Sequence, residues 1–226
     1  MHHAEEPLII TIDGPAGVGK STVAKQLASR LGYRYVDTGA LYRAVAWKVH
    51  RSAIDPSDHS AVADLLTTTR LTLEPHAEST RVSVDQCDVT HAIRTSEISR
   101  AASVVSAIPA VRVWLLPIQR GLGADGKVVM EGRDIGTCVF PAADVKFFLD
   151  ADMDIRAKRR YHELTTAGQA VALDRTREDL DTRDTRDRSR NVAPLAPATD
   201  AHVIDTSALE VNQVVDRMLG IIASKL

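Results

Sequence analysis

The sequence predicts an α/β fold with a mainly parallel central sheet flanked by helices, and three observations carry that expectation. The β-branched run "LIITID", residues 8–13, ends at a glycine-rich loop, G-x-x-x-x-G-K-S over residues 14–21, which leads directly into a helical pattern. Further apolar runs, "KVVMEG", "VKFFLDA" and "AHVIDT", are separated by helical stretches, as buried parallel strands joined by crossovers require. Only residues 65–89 break this rhythm. There "RLTLEP" and "RVSVDQCDV" alternate apolar and polar residues around the turn-rich "HAES", which predicts a small antiparallel sheet inserted in the parallel chain.

The loop comes first. Glycines at 14, 17 and 19 let the backbone curl so that its N–H groups converge on phosphate oxygens, and the helix starting near Lys20 adds its positive end. Lys20 would reach the β and γ phosphates, and the Ser21 hydroxyl would serve Mg²⁺. The nucleotide-phosphate-binding candidates are therefore Gly14, Pro15, Ala16, Gly17, Val18, Gly19, Lys20, Ser21 and Thr22, with Ser21 the metal ligand.

Val23, Ala24, Leu27, Ala28 and Leu31 then recur at helical spacing until Gly32 stops the helix. A short strand, "YRYV", leads to "DTGALYRAVAW", where Asp37 or Thr38 can start the next helix. After the alternating segment, "TSEISRAASVVSAI" places Ile98, Ala101, Ala102 and Val105 on one helical face and is stopped by Pro109. "AVRVWLLPIQRGL" follows as a helix kinked or interrupted at Pro117, ending near residues 121–123. "SALE" at residues 207–210 has capping-box spacing ahead of a C-terminal helix whose inner stripe is Val211, Val214, Val215, Met218 and Ile222.

Composition bounds the function classes. A chain of 226 residues with 44% hydrophobic content can bury a full core as one unit, and a net charge of −2 provides no global field to recruit nucleic acid or an anionic membrane. Anion binding must be local. The N-terminal "MHHAEEP" lacks the apolar stretch of a signal peptide, and no apolar run reaches the roughly 18 residues of a membrane span, so a soluble cytoplasmic protein is expected. Cys87 and Cys138 read as two reduced, half-buried thiols. The histidines, His2 and His3 included, are scattered without the pairing or carboxylate neighbours of a metal site.

Two charged segments carry open alternatives. "MEGRD" ends a strand with Glu131, Arg133 and Asp134, where open α/β sheets bind ligands, although a structural salt bridge uses the same residues. The long charged stretch before the last strand is either a solvated helix face, with pairs such as Asp179 and Arg183, or a row of arginines. Arg183, Arg186 and Arg190 recur at three or four residues, and downstream of a phosphate loop an arginine-bearing lid is favoured. Interleaved Asp179, Asp181, Asp184 and Asp187, with 4% aromatics in the chain, argue against an RNA-binding arm.

In order along the chain, "IDGPAGVGKST", "DTGALYRAVA", "DVTHAIRT", "EGRDIGTCVFP", "RDTRDRSRNVAPL" and "DAHVIDTS" resemble the bacterial cytidylate kinases, nucleoside monophosphate kinases of the P-loop NTPase fold. The resemblance implies a core at about residues 1–36, 126–156 and 192–226, a monophosphate-binding insertion at about 37–125 and a helical lid at about 157–191. It implies transfer of the ATP γ-phosphate to CMP or dCMP with Mg²⁺, which makes ATP the nucleotide held by residues 14–22; a monomer is expected, and charge and composition point to no nucleic-acid or membrane partner. By the same resemblance Thr38, Arg43, Arg94, Ser103 and Arg112 belong to the CMP site, with Arg43 on the acceptor phosphate. Arg133 lies near that phosphate and Asp134 near the cytosine ring, which Ser103 and Arg112 also read; Arg183 and Asp187 approach the sugar and Arg190 the phosphates. Lys20, Arg183, Arg186 and Arg190 are the catalytic candidates.

"FPAADVKFF" and His91 depart from the family pattern without touching an assigned residue, and the stretch between Arg160 and Asp179 carries no assignment for adenine or for Arg159. The rivals are a kinase of another small acceptor such as shikimate, a GTPase-type switch, and an RNA-binding module. The switch needs a guanine-reading N-K-x-D, which the sequence lacks.

Overall fold

A computed structural model describes residues 7–75 and 80–225 of the chain. The first apolar run forms β1, Ile9–Asp13, at the centre of a five-stranded sheet. On one side it pairs with β6, Val128–Gly132, which pairs in turn with β2, Arg34–Asp37. On the other side lie β7, Val145–Asp150, and β8, His202–Asp205. All pairings are parallel, giving the order β2-β6-β1-β7-β8. Central parallel strands are covered on both faces, so they tolerate no polar alternation, and all five residues of β6 are buried.

Helix α1, Lys20–Leu31, buries Val23, Ala24, Leu27 and Ala28 against one face of this sheet. Gly32 ends it at φ 64°, returning its N–H to the carbonyls of Ala28 and Ser29. Helix α8, Val211–Ala223, covers the same face through Val214, Val215, Met218 and Ile222. The opposite face is covered by α2, Thr38–Arg51, and α5, Pro109–Gly123, where Leu41, Val45, Val111 and Leu115 meet Val36 and Met130.

The expected antiparallel insert is present as β3, Leu71–Pro75, β4, Thr80–Val84, and β5, Cys87–Asp88. Before it stands α3, His59–Leu66, which the periodicity reading passed over; Asp58 caps it by accepting from the Ala61 N–H at 3.0 Å. After the insert comes α4, Ser96–Val105, capped by Thr95. The charged stretch forms two helices, α6, Met153–Thr166, and α7, Leu173–Ser189.

Several local expectations need correction. Pro117 lies inside α5 without interrupting it, and Pro109 is the first residue of that helix as well as the barrier ending the stretch before it. The last capping box is three residues later than its sequence spacing suggests: Glu210 and Gln213 form it, because Ser207 is engaged with Asp205 in the turn leaving β8. Cys87 is exposed, Cys138 partly buried. His50 does have a carboxylate neighbour, Glu97 at 3.2 Å. The "HAES" turn, His2, His3 and His76 lie outside the described residues. Among those described, no single helix is long and apolar enough to cross a membrane.

Phe147 on β7 is 1% exposed and belongs to the core on the α1 side, whereas Val113 on α5 is 72% exposed. Phe147→Ala is expected to lower the unfolding free energy by about 3–5 kcal/mol and Val113→Thr to change it by less than about 0.5 kcal/mol, both read by denaturant titration.

Candidate active site

A cleft of about 1250 Å³ opens over the carboxyl ends of β1, β2 and β6, the side of an open parallel sheet where ligands bind. Its volume exceeds the roughly 300–1,000 Å³ of a site for one small ligand, so two substrates can be accommodated.

The glycine loop forms one wall. Gly14 has φ 149°, and a Cβ there would lie 2.2 Å from the Leu149 carbonyl oxygen, so only glycine allows the loop to leave β1 against β7. Gly17, at φ 77°, packs on Arg156, where a Cβ would lie 2.9 Å from its carbonyl oxygen. Residues 16–22 line the cleft, while Gly14 and Pro15 act from behind by giving their carbonyls to the Lys20 ammonium at 2.8 and 2.6 Å. Burial, followed by the nearby Arg133 guanidinium, pushes Lys20 down to about 7.

Beyond Lys20, Glu131 accepts hydrogen bonds from Tyr35 and Ser21, and burial together with the Asp37 charge raises its carboxyl above the usual range. Asp37 caps α2 through the Ala40 N–H at 3.1 Å and binds two arginines, Arg43 at 2.6 Å and Arg94 at 3.1 Å. Burial alone would raise Asp37, but Arg43, Arg94 and the Ala40 amide together outweigh it and hold the carboxyl below its ordinary value. Thr38 gives its hydroxyl to the Glu131 carbonyl at 2.7 Å, tying the start of α2 to β6.

Also on the cleft lining, Asp134 is ion-paired with Arg112 and, at 3.5 Å, with Arg190. Arg112 also donates to the Ser106 carbonyl at 3.1 Å and stacks 5.5 Å from the Tyr42 ring centre. Arg133 and Arg190 share Asp187, at 3.2 and 3.8 Å. Arg183 also borders the cleft, its Nε without a partner, and burial plus the Arg133 charge lower it to about 10.

The structure thus brings Thr38, Arg43, Arg94, Ser103, Arg112, Arg133, Asp134, Arg183, Asp187 and Arg190 to one cavity with the loop. Arg186 is not on that lining; it donates to the Ser103 hydroxyl at 2.9 Å. The suggested Asp179–Arg183 pair does not form either. Asp179 faces Arg100 at 3.2 Å and Arg175 at 4.0 Å, because Arg183 points from α7 into the cleft and Asp179 towards α4.

Sequence reasoning missed Arg159 and the Arg156–Asp184 pair. Arg159 bridges the loop to the segment after β8, donating to the carbonyl of Val18 at 3.4 Å and to the hydroxyl and carbonyl of Thr206 at 3.0 and 2.7 Å. Arg156 and Asp184 form a buried ion pair that takes both the carbonyl of Ala16, at 3.1 Å, and its N–H, at 3.4 Å. Nothing local marks these residues apart from their neighbours in an arginine- and aspartate-rich stretch.

Comparison with known proteins fits this geometry. The profile of the cytidylate kinase family matches residues 10–224. The chain belongs to the cytidylate kinase family. A cytidylate kinase of Desulfitobacterium hafniense (strain Y51) is 48% identical over 219 residues, covering 97% of this chain and 94% of that protein. One from Syntrophotalea carbinolica is 46% identical, covering 96% and 93%. A solved gluconokinase from Sinorhizobium meliloti 1021 shares the fold, with a TM-score of 0.51 at 17% identity over 96% of this chain and 93% of its own. Family membership makes the chain a kinase, so the GTPase-type switch reading falls.

The lowered value of Lys20 yields a test. A bound polyphosphate stabilises the ammonium and raises its pKa, so binding takes up a proton above about pH 7 and affinity falls there by up to about tenfold per pH unit. Calorimetry of ADP binding at pH 8, in buffers of different ionisation enthalpy, should show net proton uptake. Lys20→Arg, charged throughout, should abolish it.

Proposed function

We propose that the protein transfers the γ-phosphate of ATP to CMP or dCMP, giving ADP and CDP or dCDP. The observation that carries this reading is one cavity that joins a phosphate loop, a row of guanidiniums and a buried Asp134–Arg112 pair suited to a base with an exocyclic amine. The curated cytidylate kinases at 44–48% identity over nearly the whole chain support the same acceptor. The division into core, acceptor-binding insertion and lid, the cytoplasmic location and the monomeric state belong to this reading.

An oxygen of the acceptor phosphate attacks the γ-phosphorus while the bond to the ADP oxygen breaks. No covalent enzyme intermediate is needed, so the chain's task is positioning and charge balance. Lys20 would exchange the carbonyls of Gly14 and Pro15 for phosphate oxygens, and Arg43, Arg133, Arg183 and Arg190 would surround the two phosphates. Among the described residues no three His, Cys, Asp or Glu side chains are grouped as a metal cage. The hydroxyl of Ser21 beside the carboxylate of Glu131 does suit an ion that arrives with a polyphosphate and keeps most of its ligands from it and from water. Mg²⁺ held there would neutralise charge on the β and γ phosphates.

The direct test is a coupled assay of ATP consumption across the nucleoside monophosphates. CMP and dCMP should turn over well and UMP poorly, because O4 of uracil would face the Asp134 carboxylate. A misplaced polar contact of this kind can discriminate by roughly 10⁴. Asp134→Asn, which supplies a donor in the same shape, should lower kcat/KM for CMP and narrow the preference over UMP; equal fractional losses would mean that the base is read elsewhere. Arg183→Ala should lower kcat by about 10³ or more, and Arg186→Ala by much less, as steady-state kinetics on the folded variants will show.

A further inference from the structure

Asp13 has no role in the reaction as described, yet it is a buried carboxylate one residue before the phosphate loop. One of its oxygens accepts the Ile135 N–H at 2.9 Å and the other the Gly136 N–H at 2.7 Å. These amides open the single π-helical turn Ile135–Val139 that directly follows Asp134. The first N–H groups of any helical turn have no partner within it, and here the acceptor comes from a neighbouring strand. The turn closes at its other end with Cys138 N–H on the Asp134 carbonyl at 2.9 Å and Phe140 N–H on that of Ile135 at 2.7 Å.

The surroundings leave this turn little choice. Gly132 sits opposite Asp13 in the β1–β6 register, and a Cβ on it would lie 2.6 Å from the Ile135 side chain and 2.8 Å from the Thr38 hydroxyl. A Cβ on Gly136 would lie 2.9 Å from the Thr11 hydroxyl and 3.4 Å from the Asp13 carboxylate. The turn therefore rests directly on β1. Burial pushes Asp13 up to about 6, with Asp134 acting in the same direction, while the two amides and Lys20 act against it; both oxygens accept N–H groups, the pattern of an ionised carboxylate with charge-assisted hydrogen bonds.

We propose that Asp13 is the positioning residue for base selection: by holding both amides of the turn it fixes the direction in which Asp134 faces the acceptor pocket. This inference rests on the reading of Asp134 given above. Asp13 belongs to the same strand end as the phosphate loop, so one side chain sets acceptor-base recognition against the donor site.

The test is Asp13→Asn, whose single acceptor oxygen can serve one amide while its NH₂ group confronts the other. Hydrogen exchange at the Ile135 and Gly136 amides should accelerate, and the ratio of kcat/KM for CMP over UMP should fall by about tenfold, the effect of losing one charge-assisted hydrogen bond. Equal losses on CMP and UMP, or unchanged exchange at the two amides, would overturn the proposal. Asp134→Asn is assayed alongside: if it narrows the preference and Asp13→Asn does not, only this inference fails, whereas if neither does, the reading of Asp134 fails with it. Should Asp13→Asn not fold, Gly136→Ala displaces the same turn with the carboxylate intact. It must then produce the fall in the CMP to UMP ratio, and an unchanged ratio overturns the proposal.

Discussion

The parallel pairing of β1 with β6 is the constraint on which the rest of the molecule depends. It places Asp13 beside Gly132, so the phosphate loop and the turn bearing Arg133 and Asp134 leave the sheet as neighbours, about 4.8 Å apart. A one-residue slip would send the Asp13 carboxylate to the opposite face and bury it without the Ile135 and Gly136 amides. The glycines on either side of the pair enforce the same register. Gly14 clears the Leu149 carbonyl on β7, and Gly132 clears Ile135 and Thr38.

Around this seam the protein accumulates charge that a stability-optimised core would avoid. Lys20, Asp13, Glu131, Asp37 and Asp134 are all buried, and for Lys20, Asp13 and Glu131 burial shifts the equilibrium towards the neutral form. Such groups lower the stability of the ligand-free fold, and two extensive apolar clusters on the two faces of the sheet offset that cost. The benefit is preorganisation. Hydrogen bonds from Tyr35, Ser21 and Thr38 to Glu131, and from Ala40, Arg43 and Arg94 to Asp37, hold the polar groups before a substrate arrives.

Helix α7 connects the two halves of the cleft. Asp184 and Arg156 grip the backbone of Ala16 in the glycine loop, while Asp179 and Arg186 reach α4 through Arg100 and Ser103. Gln169, between α6 and α7, adds a contact to the Arg94 carbonyl at 3.5 Å. The pocket-facing residues Arg183, Asp187 and Arg190 lie on the same helix or at its end, so their placement is set from both sides.

The sequence by itself determined the strand, loop and helix order apart from α3, the antiparallel insert, the helical nature of the charged stretch and the phosphate-loop residues that line the cleft. These follow from signals confined to a few neighbouring positions: β-branched runs, 3.6-residue periodicity, and glycines where a loop must turn. The family resemblance supplied Thr38, Arg43, Arg94, Ser103 and Arg112 and the roles of single arginines, which composition and spacing leave open. Only the tertiary structure decided the partners. Spacing suggested Asp179 for Arg183, yet desolvation against α4 and the cleft gave Asp179 to Arg100 and left the Nε of Arg183 unpaired. Likewise Arg112 finds Asp134 across 22 positions, Arg159 finds Thr206 across 47, and Asp13 finds Ile135 across 122, because a buried charge takes whichever complementary group the packed elements bring to it.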